Sequence, residues 1–404
     1  MLSRTRLVSL GLAMATLVAT AASCASSSGG SGTNAACDSP GVTPSQVTLG
    51  FIYPASGASS SALSAARAGI DARIGLANEQ GGMHGRRITY QWRDDENTSS
   101  VTARATEELV QQEHVFGLVA ASASLGGSLD SLAQQGIPVA GLAVDPAWAG
   151  RENMFSFIYS ASQAVVGRYI REAHGTKVAI ITAGQSADSA ANVTLYEQGL
   201  RAAGVSAVEV FPYAVASGSP AQLASKIMAF GADALLGIIA PEGFGQVVQA
   251  TRAAGAHLAV SVVLAGYDHS VLAADGQALA GVSMPVFFRP FEAGGPAIER
   301  YHSAMDRYAP EARDADQQFA MFTYINTDLF LRGLYLAGPC PTRDSFIKAL
   351  RSVSSYDADG LIEPVDLRDY SGKPLSCYSF VQVAPGGAAF QLVRKRVCAD
   401  GTSG

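Results

Sequence analysis

Short apolar runs alternate with helical stretches along most of the chain, and this alternation constrains the fold more than any single motif does. The runs that predict strands lie at residues 47–53, 88–93, 115–120, 139–142, 155–159, 177–182, 208–213, 234–239, 260–265 and 282–286. Strands that alternate with helices form parallel sheets with helices on both faces. We therefore expect an α/β fold with doubly wound topology.

Size and composition indicate a globular chain of two lobes without a nucleic-acid partner. The 404 residues are 48% hydrophobic and 15% charged, and this length exceeds the usual size of a single domain. The net charge is −6 and the basic residues are scattered along the sequence. Because nucleic-acid binding needs a basic patch or stripe, we expect no such partner.

The first residues have the pattern of a secretory signal peptide. Arg4 and Arg6 precede an apolar run at residues 7–22, which is shorter than the roughly 20 residues that span a bilayer. Small residues follow this run, as they do before a cleavage site. We therefore expect a signal peptide at residues 1–23 and an exported protein.

Cys24 follows three small residues, and together they resemble the lipobox of bacterial lipoproteins, in which this cysteine becomes the lipidated first residue. Residues 25–36 are almost all Ser, Gly, Thr, Asn and Ala, which is the composition of a flexible tether. We expect a tether at residues 24–45 and attachment to the outer face of the cytoplasmic membrane through the lipid alone. The alternative is an ordinary signal peptide with an incidental cysteine.

Four further cysteines, Cys37, Cys340, Cys377 and Cys398, allow three disulfide pairings. An even number in an exported protein favours two disulfides over metal ligation. Residues 377–398 have the pattern of a hairpin in which the two cysteines face each other, so we expect Cys377 to pair with Cys398. Cys37 and Cys340 remain, and in a parallel α/β lobe both fall on the side opposite the carboxyl ends of the strands.

Two segments carry a family resemblance. Residues 47–96 read as a strand, a Ser-Gly loop, a helix, a Gly-rich turn and a second strand that ends at Asp94-Asp95. Later, Phe230-Gly231-Ala232-Asp233-Ala234 leads into a strand and a helix that ends in Ala-Ala-Gly. In order and content these segments resemble the branched-chain-amino-acid-type solute-binding proteins of ABC importers.

The resemblance implies a type I periplasmic binding protein fold, with two doubly wound lobes and a three-strand hinge. It implies lobe one at residues 46–156 and 283–357, and lobe two at residues 157–282 and 358–404, the last with a crossover and a hairpin. It also implies a monomer that holds a small molecule between its lobes and delivers it to an ABC permease and ATPase. The alternative is a sensory lipoprotein that reports its ligand to a membrane partner.

Motifs for catalysis are missing from the sequence. Ser186 lies in a Gly-Gln-Ser-Ala-Asp segment that lacks the second glycine of a nucleophile elbow. There is no HExxH or Walker A motif, and the six histidines are dispersed without metal-ligand spacing. We therefore expect no enzyme, no cofactor and no metal, and we interpret Asp94-Asp95-Glu96 as a solvated turn.

Ligands of open α/β sheets bind outside the carboxyl ends of the strands. The ligand-contact positions that this rule selects are Tyr53, Ser122, Ser124, Val144, Gln185, Glu242, Tyr267 and Asp268. Ser122 and Ser124 could hold a carboxylate at a helix N-terminus, or they could only cap that helix.

The acidic candidates also have two interpretations. Tyr267 and Asp268 stand near the place where amino-acid-binding relatives put the acid that pairs with the ligand ammonium. Asp268 could equally cap the following turn, and Glu242 has the position of a first-turn residue that favours the helix dipole.

Two loops depart from the pattern of amino-acid-binding relatives. In the loop after the third predicted strand, Ala121 and Ala123 alternate with the two serines. In the loop after the fourth, Val144-Asp145-Pro146 stands where those relatives have a turn that carries a hydroxyl. Losing that hydroxyl weakens a carboxylate cradle. We therefore expect an amino acid or an amide-bearing or aromatic relative, with the less polar compounds favoured over an α-amino acid.

Overall fold

The computed structural model describes residues 37–57, 60–184, 187–312 and 314–402. The predicted signal peptide, the lipidation residue Cys24 and the ligand candidate Gln185 lie outside these ranges. Within them, no helix is both long enough and apolar enough to cross a bilayer.

The strands form two sheets. The first sheet contains β1 (Gln46–Tyr53), β2 (Arg87–Asp94), β3 (Leu118–Ala120), β4 (Val139–Gly141) and β5 (Met154–Phe155). Its order is β2-β1-β3-β4-β5, and each neighbouring pair is parallel. Because all the carboxyl ends of a parallel sheet lie on one edge, the loops that follow these strands gather there.

The second sheet contains β6 (Lys177–Thr182), β7 (Ala207–Pro212), β8 (Ala234–Ile238), β9 (Val260–Val263), β10 (Val282–Val286), β11 (Cys377–Val383) and β12 (Phe390–Cys398). Its order is β12-β11-β10-β9-β8-β6-β7, and the last hairpin, β11 and β12, joins β10 in antiparallel register. The other pairs are parallel. Two sheets of mainly parallel strands confirm the predicted α/β architecture.

Helices cover the sheets. They are α1 (Ser60–Leu63), α2 (Ala66–Glu79), α3 (Ser99–Glu107), α4 (Leu129–Gln134), α5 (Gln163–Glu172), α6 (Ala187–Ala202), α7 (Pro220–Phe230), α8 (Pro241–Ala253), α9 (His269–Asp275), α10 (Pro296–Tyr308), α11 (Gln318–Leu336) and α12 (Arg343–Leu350). The long α11 packs on α2, β3 and β4, and α10 packs on α2. Gly69 of α2 lies so close to the Ala320 carbonyl of α11 that a Cβ has no room. The helices from the later part of the chain therefore cover the first sheet.

One predicted strand is much shorter than the sequence indicated. The strand here is Met154–Phe155, so the apolar run at residues 155–159 contributes only Phe155 to a sheet. Beyond it the Ser156 hydroxyl donates to the Ile158 carbonyl at 2.8 Å, and the Tyr159 hydroxyl donates back to Met154 at 2.7 Å. The chain leaves the first sheet at this point, and these local bonds hold it just beyond the end of the strand.

Both disulfides have the pairing that the sequence predicts. Cys377 and Cys398 face each other in the β11–β12 register with Cα atoms 4.0 Å apart. The Cα atoms of Cys37 and Cys340 are 5.2 Å apart although the residues are 303 positions apart in the sequence. The second bond therefore ties the segment before β1 to the turn that follows α11.

The Gly231-Ala232-Asp233-Ala234 segment is explained by its local bonds. Gly231 ends α7 in the left-handed region at φ 74°, a conformation that glycine adopts without strain. The Asp233 carboxylate then accepts the backbone N–H of Thr176 at 2.7 Å and of Lys177 at 2.8 Å, at the start of β6. Burial opposes ionisation, but these hydrogen bonds outweigh it and lower the pKa of Asp233 below its usual value.

Replacing this carboxylate gives a pH-dependent loss of stability. A carboxyl group with a lowered folded-state pKa stabilises the protein above its unfolded-state pKa of about 3.9, and the contribution is lost as the pH falls through the folded value. We expect Asp233→Asn to melt below wild type at pH 7, with the difference shrinking below about pH 4. Thermal unfolding from pH 3 to pH 7 measures this. Asp306→Asn, at an exposed position of α10, is the control, and a difference that does not change with pH contradicts the assignment.

Candidate functional site

The structure places each described candidate at the carboxyl edge of its own sheet. Tyr53 is the last residue of β1, and Ser122 follows β3 by two residues. On the second sheet, Glu242 lies in the first turn of α8 after β8, and Asp268 follows β9 and precedes α9. The loops that carry these residues show what each side chain contacts.

The loop after Tyr53 is held by the carboxylate of Asp94. This carboxylate accepts the backbone N–H of Ala55 at 3.0 Å, of Ser56 at 3.3 Å and of Glu96 at 2.9 Å, and also the Ser56 hydroxyl at 2.6 Å. Burial opposes ionisation, but the hydrogen bonds prevail and lower the pKa of Asp94. A charged aspartate thus fixes the backbone at the end of the first strand.

Tyr53 itself provides an apolar surface. Its side chain is buried, and its ring stacks on Phe51 with centroids 4.9 Å apart. Trp92 of the neighbouring strand lies with its centroid 5.6 Å away. These contacts hold the tyrosine ring rigidly at the sheet edge.

Asp95 is fully buried, so the interpretation of Asp94-Asp95-Glu96 as a solvated turn is wrong for this residue. Its carboxylate accepts the backbone N–H of Asn97 at 3.0 Å, the Thr102 hydroxyl at 3.4 Å and the Ser122 hydroxyl. Three donors from three segments offset the loss of hydration that burial imposes on a charge. The sequence showed only an acidic pair beside a turn, because two of the donors come from outside that turn.

Both serine hydroxyls are engaged within the protein. Ser122 is buried and accepts the backbone N–H of Ser124 at 3.0 Å, besides donating to Asp95. Ser124 is half-buried and donates to the Asn97 side-chain oxygen at 2.9 Å, without capping the short helical turn that follows. These bonds fix the loop after β3 to the loop after β2.

The loop after β4 presents Val144 to solvent, with 60% of the residue exposed. Asp145 accepts the backbone N–H of Ala147 at 2.8 Å and so caps the short helix Pro146–Trp148. Its carboxylate also lies against Gly126, where a Cβ has no room. Asp145 therefore acts on the backbone of its own loop.

Tyr267 is a core residue in this structure. Its hydroxyl donates to Glu292 at 2.6 Å and accepts the backbone N–H of Phe291 at 2.8 Å. Its ring lies between 5.0 and 5.9 Å from those of Phe288, Phe291 and Phe390, measured between centroids. Burial and the neighbouring Glu292 carboxylate raise the pKa of Tyr267. Contact between this hydroxyl and a ligand stays a prediction.

The two acidic candidates stand at helix starts. Asp268 accepts the backbone N–H of Ser270 at 2.7 Å and caps α9. Glu242 is exposed and follows Pro241 in the first turn of α8. Carboxylates are favoured there by the helix dipole, and neither role prevents contact with a ligand.

One cavity lies beside the residues that contact Tyr267. It has a volume of about 640 Å³ and opens between β11, β12 and the segments 286–293 and 360–365. Phe157, Phe288, Tyr378 and Leu392 are among its lining residues. Val286, the last residue of β10, also lines it, so the cavity borders the carboxyl end of this strand, although none of the described ligand candidates is among its lining residues.

The structure also brings together three side chains whose spacing in the sequence does not indicate a common site. His269, Asp314 and Asp316 each place one ligand atom within 4.8 Å of the others. His269 and Asp314 are 45 residues apart in the sequence, which is why no metal-ligand spacing is visible. A histidine at the start of a short helix and two acids of a distant loop are ordinary features until the fold joins them.

Comparison with known proteins supports one family. Residues 46–388 match the family model described as periplasmic binding protein. No curated protein sequence matches the chain.

Solved structures share the fold at low sequence identity. A fatty acid ABC transporter substrate-binding protein from Thermomonospora curvata is 17% identical, with TM-score 0.73 over 90% of this chain and 96% of that one. A branched-chain amino acid transporter substrate-binding protein from Streptococcus pneumoniae, in complex with isoleucine, is 17% identical, with TM-score 0.70 over 86% and 99%. A branched-chain amino acid ABC transporter from Thermus thermophilus with bound valine is 15% identical, with TM-score 0.73 over 87% and 96%.

The buried carboxylate of Asp95 gives a stability test of the site. Asp95→Ala removes the acceptor of the Asn97 N–H and of the Ser122 hydroxyl, whereas the Thr102 hydroxyl keeps the Thr98 carbonyl at 3.0 Å. Each buried unsatisfied group costs about 1–3 kcal/mol. We expect the free energy of unfolding to fall by about 3 kcal/mol, measured by urea denaturation. Glu96→Ala changes the exposed neighbour and is expected to stay within about 0.5 kcal/mol of wild type. Equal losses in both variants contradict the role of Asp95.

Proposed function

Because the chain belongs to the periplasmic binding protein family, we propose that it is a lipid-anchored solute-binding protein that captures a small organic ligand between two lobes and delivers it to an ABC importer. The observation that carries this proposal is the match of the family model over residues 46–388. Members of this family are described as binding proteins and not as enzymes. Their description also places them outside the cytoplasm.

The arrangement of the sheets supports two lobes. In our assignment, lobe one comprises residues 46–156 and 283–357, and lobe two comprises residues 157–282 and 358–404. The packing of α10 and α11 on α2 supports the return of the later segment to lobe one. β10 (Val282–Val286) pairs with β9 and β11, so the boundary expected at residue 282 falls inside a strand, and in this proposal we move it to residue 286.

The ligand cleft in this proposal lies between the two carboxyl edges. Binding to one lobe adds contacts from the other and so favours a closed state that the transporter recognises. The hinge consists of the crossing segments near residues 156–160, 281–288 and 358–364. The short β5 and the local bonds of Ser156 and Tyr159 are consistent with a crossing at the first of these.

The side chains at the predicted positions favour a neutral or cationic ligand with an apolar body. Tyr53 and Val144 are apolar surfaces, Glu242 and Asp268 are acids, and no predicted position carries a basic residue. A carboxylate in a cleft pairs well with an ammonium or amide N–H group. Similar structures bear names that refer to fatty acids, isoleucine and valine, so the fold itself leaves the ligand open.

A ligand screen by thermal shift tests binding. Amino acids, amides, amines, urea, neutral aromatic compounds, aromatic acids, fatty acids and sugars are added to the purified protein, and a ligand at 100 times its Kd adds about 2.7 kcal/mol of stability. We expect the hits among amides, aromatic compounds and amines. A screen in which only anionic compounds stabilise the protein contradicts the charge argument.

Variants of the predicted contacts then locate the site for the hit. We expect Asp268→Asn and Ser124→Ala to raise its Kd at least tenfold, which is about 1.4 kcal/mol each. Asp306→Asn is again the control. If neither Asp268→Asn nor Ser124→Ala changes the Kd measured by calorimetry, the site assignment is wrong although binding stands.

Lipidation is tested at Cys24. A lipid chain contributes about 0.8 kcal/mol of membrane affinity per buried CH₂ group, so Cys24→Ser is expected to move the protein from the membrane fraction to the soluble fraction. Immunoblots of fractionated cells measure this, and Ser27→Ala in the same predicted tether is the control. Retention of Cys24→Ser on the membrane after a high-salt wash rules out the proposed anchor.

A further inference from the structure

His269, Asp314 and Asp316 form a compact cluster of nitrogen and oxygen atoms. The His269 Nδ1 atom lies 2.8 Å from Asp314 Oδ2, and its Nε2 atom lies 3.9 Å from Asp316 Oδ2. The side chains are 36%, 36% and 19% exposed, so the cluster is open to a small ion from solvent. A second imidazole is adjacent, with His302 Nε2 2.6 Å from Asp316 Oδ1.

The loop that carries the two aspartates is held in place by backbone bonds. Asp314 accepts the backbone N–H of Asp316 at 2.8 Å with its other oxygen. The Tyr301 hydroxyl donates to the Ala315 carbonyl at 2.7 Å, and Asp268 and Gln317 form an isolated β-bridge. Groups that orient ligating side chains in this way are a common part of metal sites.

Negative charge dominates the surroundings. Burial raises the pKa of Tyr301 well above its usual value, and the nearby carboxylates of Asp316, Asp314 and Asp268 raise it further. These three carboxylates outnumber the two imidazoles of His269 and His302. Such a field attracts cations.

We propose that His269, Asp314 and Asp316 bind a divalent transition-metal ion, with Zn²⁺ as the best match. Imidazole nitrogen and carboxylate oxygen together suit Zn²⁺, whereas Ca²⁺ and Mg²⁺ prefer oxygen alone. In a tetrahedral site with bonds of about 2.0 to 2.1 Å, ligand atoms are about 3.3 Å apart. One ring nitrogen of His269 and one carboxylate oxygen of each aspartate lie within 4.8 Å of one another, so small side-chain movements bring them to that separation. His302 contacts Asp316.

The ion cross-links two parts of the molecule. His269 begins α9, which follows β9 of the seven-stranded sheet. Asp314 and Asp316 lie between α10 and α11, which pack on α2 of the five-stranded sheet. Metal binding therefore stabilises the contact between these parts, whichever solute the protein binds.

Metal binding is measured on protein that has been treated with EDTA and dialysed. We expect isothermal titration with ZnSO₄ at pH 7.5 to give one Zn²⁺ per chain, with a Kd in the micromolar range or tighter. His269→Ala and Asp314→Asn are each expected to raise the Kd at least tenfold. His257→Ala, at an exposed histidine outside the cluster, is expected to bind like wild type.

Two further readouts separate a site from a merely structural network. Metal binding requires deprotonated imidazole, so we expect the affinity to fall sharply at pH 5. Co²⁺ in the wild-type site is expected to give visible absorption bands of low-symmetry coordination that are lost in His269→Gln. His269→Gln keeps a polar side chain and serves if His269→Ala does not fold.

Equal Zn²⁺ affinity in wild type, His269→Ala and Asp314→Asn overturns the proposal, and so does a wild type that binds no Zn²⁺. Thermal melts of each variant in EDTA show that it is folded when the titration is made. The solute screen can be run in EDTA, so failure of the metal site and failure of solute binding are distinguishable.

Discussion

Loops at the carboxyl edge of a parallel sheet expose backbone N–H groups that no strand can satisfy, and in this protein aspartate side chains satisfy them. Asp94, Asp95, Asp145 and Asp268 each accept the N–H of the residue two positions later, and Asp314 does the same in the loop between α10 and α11. This local bond is the Asx-turn, which short acidic side chains form readily. The edge loops on which the proposed functions depend therefore take their shape from carboxylates.

The same carboxylates affect the charge of these loops. A loop that uses aspartate for its own backbone also places negative charge at the edge of the sheet. Asp268 shows both effects, because it caps α9 while its residue remains half-exposed at the sheet edge. The proposed preference for neutral or cationic ligands and the proposed metal site thus have the same physical origin, which is the use of aspartate side chains to hold the loops.

The sequence predicted what depends on local pattern. The alternation of apolar runs with helical stretches predicted parallel sheets, and the symmetric positions of the two cysteines in the final hairpin predicted the Cys377–Cys398 bond. It could not predict contacts between distant segments. Asp95 reads as a surface acid until Ser122 and Thr102 are brought to it, and the contacts of Tyr267 with Glu292 and the phenylalanines are not visible in the sequence around it. His269 and Asp314 are a more extreme case, because only the tertiary fold makes them neighbours.

The Cys37–Cys340 bond has a mechanical consequence. Tension on the polypeptide before Cys37 passes through the sulfur atoms to the turn after α11, and not only along the backbone into β1. Helix α11 is buried against α2, β3 and β4. A pull on the amino-terminal segment therefore acts on the buried helix α11 as well as on β1.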